Sequence, residues 1–153
     1  MTSIYSLVEK IKDFLYAHPL VNHVTFGDIM SVDLDKTTIY PLSHFTVTNS
    51  TIGKNYISFD LSFLFLDVVD YKKEYDDDKS FRDDASNILD VFNTQLQIAN
   101  ALISDLRRGD LYNDKFQMED DPTCQMFKDK YENELAGWKV DLTITMPNDI
   151  SIC

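Results

Sequence analysis

Trp138-Lys139-Val140-Asp141-Leu142-Thr143-Ile144-Thr145-Met146 is the stretch that decides the fold. Trp138, Val140, Leu142, Ile144 and Met146 alternate with Lys139, Asp141, Thr143 and Thr145. Only an extended strand turns a period of two into one apolar face and one polar face. Pro147 then removes a ladder donor and stops the run. A strand with one dry face and one wet face belongs to a sheet covered on one side, so the rest of the chain must supply strand partners and a covering layer.

Strand partners come from the middle of the sequence. His44 to Thr48 alternates, with Phe45 and Val47 on one face. After a turn at Ile52-Gly53-Lys54, the run from Tyr56 places Ile57, Phe59, Leu61, Phe63 and Phe65 on one face, which makes the two runs a hairpin candidate. The other face of the second run is polar at Ser58, Asp60 and Ser62 and apolar at Leu64 and Leu66, so its far end needs cover on both sides, from this chain or a neighbour. Val21 to Phe26 reads as a short strand, and Phe116 and Met118 mark a short edge strand.

The covering layer comes from two amphipathic helices. Ile4, Leu7, Val8, Ile11, Phe14 and Leu15 keep a spacing of three and four, and His18-Pro19 ends that run. A second helix is predicted over 84–107, with Ile88, Leu89, Phe92, Leu96, Ala99, Leu102, Ile103 and Leu106 as its stripe and Gly109 as its stop. The expected architecture is α+β in a single domain over 1–153: a mostly antiparallel sheet of about four strands with both helices packed on one face. Two aperiodic stretches, 27–42 and 71–84, are expected to be long extended loops.

Composition narrows the function. The chain of 153 residues carries 26 acidic and 14 basic side chains, a formal charge of -12 and a pI near 4.4. Affinity for nucleic acid comes largely from cations that neutralise phosphates, so this balance disfavours gripping DNA or RNA, and disfavours anionic membranes equally. Acidic walls instead let a phosphate polymer slide past. Charges inside the first apolar pattern (Glu9, Lys10, Lys12, Asp13) argue against a signal-peptide core, and no apolar run reaches the ~20 residues of a membrane helix. Cys124 and Cys153 have no metal-ligand spacing and read as free thiols in a reducing compartment.

A search for chemistry finds none with a specific pattern. Gly27, Gly53, Gly109 and Gly137 are too far apart to form a phosphate-cradling loop. His18, His23 and His44 lack helical metal-ligand spacing and are read as structural. Asp76-Asp77-Asp78 lacks the central glycine and closing glutamate of a calcium loop, and reads as a solvated acidic segment. Asp67 and Asp70 read as turn carboxylates, and Trp138 as a core residue whose N–H finds a local acceptor. No catalytic, cofactor-binding or metal-binding residue is assigned.

Three stretches carry a family likeness: VNHVTFGDIMSVDLDKTTIYPLSHFTV, NILDVFNTQLQIANALISDLRRGDLYNDKFQ and FKDKYENELAGWKVDLTITMPNDISIC. Together they resemble small virion proteins of tailed bacteriophages, from marine phages to those of gut Bacteroidetes hosts. Within that group the chain is similar to tail-completion, tail-terminator and neck (head–tail joining) proteins. The resemblance implies a homo-oligomeric ring, six-fold or twelve-fold, around the DNA channel, without enzymatic activity or cofactor. It implies other virion proteins as partners, such as portal-associated, neck or tail-tube proteins, and a place in the virion after assembly in the host cytoplasm. Neither sequence-specific nucleic-acid binding nor a membrane is expected. Subunit contacts are then expected at Thr38, Tyr40, Pro41, Tyr71, Tyr75 and Tyr112, because loop tyrosines suit surfaces that a partner buries. Asp76, Asp77 and Asp78 would form a DNA-repelling loop. The alternative is an acidic adaptor that binds a basic protein partner, with a dispersed-ligand enzyme as a third reading.

Overall fold

The computed structural model describes residues 4–28, 39–69, 88–130 and 134–149. In chain order these form α1 (Ile4–Ala17), β1 (His23–Phe26), β2 (Leu42–Ile52), β3 (Tyr56–Val68), α2 (Ile88–Arg108), a single turn α3 (Asp110–Asn113), β4 (Gln117–Met118), β5 (Thr123–Lys130) and β6 (Glu134–Pro147). The strands make one mixed six-stranded sheet in the order β1-β2-β3-β6, with β4 and β5 both paired to the far side of β6.

The α+β class and the two helices agree with the sequence, whereas the sheet is larger than the four strands expected and is not wholly antiparallel. β1 runs parallel to β2, from His23 opposite Leu42 to Phe26 opposite Phe45. The physical reason lies between them: fifteen residues separate Phe26 from Leu42, enough chain to carry it back to the same end of the sheet, which a short turn cannot do. Of the expected loops, 29–38 and 70–87 lie outside the described residues.

Register places one row of aromatics across three strands, Phe26 opposite Phe45 and Phe45 opposite Phe63, with Val140 next. The rings of Phe45 and Phe63 stack with centroids 5.4 Å apart, and Phe26 tilts against Phe45 at 5.1 Å. Leu61 opposite Leu142 and Phe59 opposite Ile144 continue the same face. Leu7, Ile11 and Leu15 of α1 and Ile98, Leu102 and Leu106 of α2 close over it, all fully or almost fully buried. Each fully buried Phe or Leu here is worth about 1.5–3 kcal/mol relative to exposure. Trp138 lies on this side too, and its indole N–H donates to the Phe92 carbonyl at 2.8 Å, the local acceptor anticipated for it.

α2 is rotated relative to the predicted stripe. Val91, Phe92, Gln95, Ile98, Ala99, Leu102, Ile103 and Leu106 are buried, while Leu89 is 69% and Leu96 40% exposed. A glutamine therefore stands where the apolar pattern had placed a leucine.

The opposite sheet face is wet over most of its area, with Lys139 and Asp141 exposed and Thr143 donating to Asp60 at 2.6 Å. Its far end is dry. Tyr40, Leu42, Leu66 and Leu135 form a second buried cluster there, joined by Ile39, Leu64, Val68 and Phe127. Cover for Leu66 comes from this chain itself.

Candidate functional site

Among the described residues no group of three or more His, Cys, Asp or Glu side chains is placed to hold a metal ion. The one buried histidine, His44 on β2, is 3% exposed, and its Nδ1 lies 2.7 Å from the Thr25 hydroxyl on β1. A further hydrogen bond reaches the Gly27 backbone. With Gly27, Asp28, Thr46, Ser62 and Leu64 it lines an open pocket of about 430 Å³ on the wet side of the sheet. These contacts tie β1 to β2 and bury a ring that the alternation of this strand had placed on a wet face.

Burial lowers the pKa of His44 from its ordinary 6.5, against the smaller opposing pulls of the Gly27 backbone and the Asp28 carboxylate. The unfolded chain therefore binds a proton more readily than the fold. The stability this side chain contributes is complete above the unfolded value and is lost as pH falls below it towards the folded value. In urea unfolding at pH 7.5 and pH 5.5, the wild type should lose more stability on acidification than His44→Asn, with His18 and His23 common to both. Equal losses would show that the ring is not held neutral.

The expected contact residues separate into three groups. Thr38, Tyr71 and Tyr75, together with Asp76, Asp77 and Asp78, lie outside the described residues. Tyr40 is 7% exposed inside the second cluster, so its ring is spent within the chain and is not offered to a partner. The Pro41 carbonyl accepts the backbone N–H groups of Asn22 and His23 at 2.9 and 3.2 Å, which binds this proline into the β1–β2 end of the sheet. Of those described, Tyr112 on α3 stands exposed, at 44%.

The structure brings two other surfaces forward. The first is the distal arm of the β2–β3 hairpin. β1 pairs only with Leu42 to Phe45, so the outer edge of β2 from Thr46 to Ile52 has no strand beside it among the described residues. A bulge at Thr48 shifts the register from Val47 opposite Leu61 to Asn49 opposite Asp60. That shift sets Ile52 opposite Ile57 on the helix side of the sheet, yet Ile52 remains 76% exposed, with Tyr56 exposed beside it. A sequence reading that stopped the first strand at Thr48 missed this arm, since Asn49, Ser50 and Thr51 carry no apolar period.

The second surface is the β4–β5 edge. β5 was not anticipated at all, because an edge strand is defined by backbone pairing and its side chains are half in water. It runs along β6 from Thr123 opposite Asp141 to Lys130 opposite Glu134, and its outer side is unpaired among the described residues. Cys124 and Met126 fall on the helix side, opposite Val140 and Trp138. Between this edge and α2 lies an open groove of about 300 Å³ lined by Asn93, Leu96, Gln97, Asn100, Ile103 and Cys124.

Charge is not concentrated in 71–84, where six acids face four bases and so account for only two of the twelve net negative charges. The corner where α2, α3 and β4 meet is similar: over 105–121, Asp105, Asp110, Asp114, Glu119, Asp120 and Asp121 stand against Arg107, Arg108 and Lys115, a net of three negative charges. Asp105 accepts the N–H groups of Asp110 and Leu111 at 3.2 and 3.0 Å and so caps α3. Lys10 pairs with Asp114 and Arg107 with Asp121. Both ion pairs are exposed and leave the corner net negative.

No protein-family model matches the chain, and comparison with curated proteins finds no match. Among the described residues, no helix is long and apolar enough to cross a membrane.

Proposed function

We propose that this chain is a structural subunit of a tailed-phage particle that assembles into a ring at the head–tail junction or the tail end, around the DNA channel. The supporting observation is the hairpin arm, whose outer edge from Thr46 to Ile52 is unpaired among the described residues and lies beside the exposed Ile52 and Tyr56. A strand edge left open beside exposed apolar side chains lowers its free energy by lying on a neighbour, and head-to-tail repetition of such a contact closes a ring. The formal charge of -12 fits the same reading, since a wall that repels phosphates lets DNA pass without adhering. In this reading the chain contributes shape and charge and performs no reaction.

Native mass measurement and particle averaging of the purified protein, alone and with neighbouring virion proteins, test the proposal. A closed oligomer of six or twelve copies is expected. A monomer under both conditions would overturn it. Ile52→Asp should abolish the ring while leaving the unfolding free energy within about 0.5 kcal/mol of the wild type, as a solvent-facing change should. A ring that survives this substitution would remove the arm from the contact. The adaptor reading draws on the same acidity and predicts a one-to-one complex with a basic protein in place of a ring.

A further inference from the structure

We propose that the groove between α2 and β5 receives the hairpin arm of a second copy of this chain, with Ile52 seated on Leu96 and Ile103. The assignment rests on the ring reading and names the surface on which the arm lies. Its starting point is an absence of charge. From Val91 to Ser104, α2 carries no charged residue, in a chain that is 26% charged. Burial explains only part of that run, because Asn93, Leu96, Gln97 and Asn100 are exposed. The outer face of a helix is ordinarily where charges collect, whereas the centre of a surface buried by a partner is where they are depleted.

The arm has the same character. Between Thr46 and Phe59 the sole charged residue is Lys54, at the turn. Two copies that each carry a formal charge of -12 repel one another, so a stable contact between them falls where neither side brings carboxylates. A basic partner finds nothing to pair with here. The groove is lined by amide and apolar side chains and by the Cys124 thiol, whose pKa burial raises, keeping it protonated.

Chemistry and position match as well. Asn93, Gln97 and Asn100 recur at helical spacing, so their amides line one side of α2. An amide side chain offers the same donor and acceptor as a peptide group, and the outer edge of β2 from Thr46 to Ile52 presents peptide groups that no strand pairs among the described residues. Leu96 and Ile103 give Ile52, 76% exposed in the single copy, an apolar seat. β2 and β5 lie on opposite sides of β3 and β6, and both Ile52 and the groove are on the helix side of the sheet. A sideways step that keeps this side facing the same way brings the arm of one copy to the groove of the next. Each added copy leaves one arm and one groove free until the ring closes.

The test uses the full chain with Cys153→Ser, which leaves Cys124 as the native thiol, and with Ser50→Cys, an exposed position two residues before Ile52 on the same side of the strand. A short bifunctional maleimide should join the arm of one copy to Cys124 of the next, giving a covalent ladder up to the size of the ring. The chain with Cys124 alone should give none. In the otherwise unaltered chain, Gln97→Glu adds one charge at nearly constant shape, and should raise the concentration needed for ring formation at least tenfold without shifting the unfolding midpoint. A ring that forms without the ladder, or that is indifferent to Gln97→Glu, has its arm on another surface and overturns the assignment while the ring reading stands. Cross-linking through Cys124 alone would set two grooves face to face and overturn it equally. A monomer under all conditions removes both the ring and this contact.

Discussion

Gly137→Ala is expected to cost at least about 3 kcal/mol of stability, above the usual range for overpacking, because the atom it meets is backbone. A Cβ built on Gly137 would lie 1.7 Å from the Phe65 carbonyl oxygen and 3.1 Å from the Leu66 Cα. At this point β6 is held from both sides, by Leu66 of β3 and by Phe127 of β5, so it has no free direction in which to yield. The substitution must therefore open the β3–β6 ladder at the place where the two clusters on opposite faces adjoin. Urea midpoints read the effect directly, and far-ultraviolet dichroism reports the lost strand if the variant no longer folds. A change below 1 kcal/mol would mean that the two strands stand further apart than the structure has them.

Gln95→Met should act in the opposite direction and raise stability by about 1–3 kcal/mol. Gln95 is 0% exposed in the middle of the buried face of α2, and neither its Nε2 nor its Oε1 has a hydrogen-bond partner among the described residues. A buried amide without partners keeps its full desolvation cost, and methionine offers nearly the same length and volume without the polar atoms. Ser43 Oγ is a second buried polar atom without a partner. If Gln95→Met instead destabilises the protein, the amide is satisfied by an ordered internal water, and the variant has broken that bond. Thermal and urea unfolding of both proteins distinguish these outcomes, and ring formation by the stabilised variant would show whether the glutamine serves assembly.

Much of the frame was legible in the residues because burial leaves a period behind it. The alternation after Trp138 became the longest strand, and Phe59, Leu61, Phe63 and Phe65 became its buried partners. Leu7, Ile11 and Leu15 marked the inner side of α1, and Gly109 the end of α2. The acceptor for Trp138 was foreseeable in kind, though not as the Phe92 carbonyl. The candidate surfaces were far less legible. Tyr40 has the composition of a contact residue, but its chain neighbours fold it into a cluster with Leu42, Leu66 and Leu135. The hairpin arm and β5 are polar, half-exposed strands whose existence depends on pairing with β3 and β6, and pairing through the backbone writes no pattern in side chains.

By itself, then, the sequence determined which faces of α1, β3 and β6 are dry, that helices cover one side of a sheet, and that the molecule is strongly acidic. Each of these follows from local spacing or from composition. Only the tertiary structure decided that β1 runs parallel to β2, that α2 turns Gln95 inward and Leu96 outward, and that two strand edges are left open among the described residues. Those outcomes depend on how elements distant in sequence meet, and their free energy resides in contacts that no single stretch of chain contains.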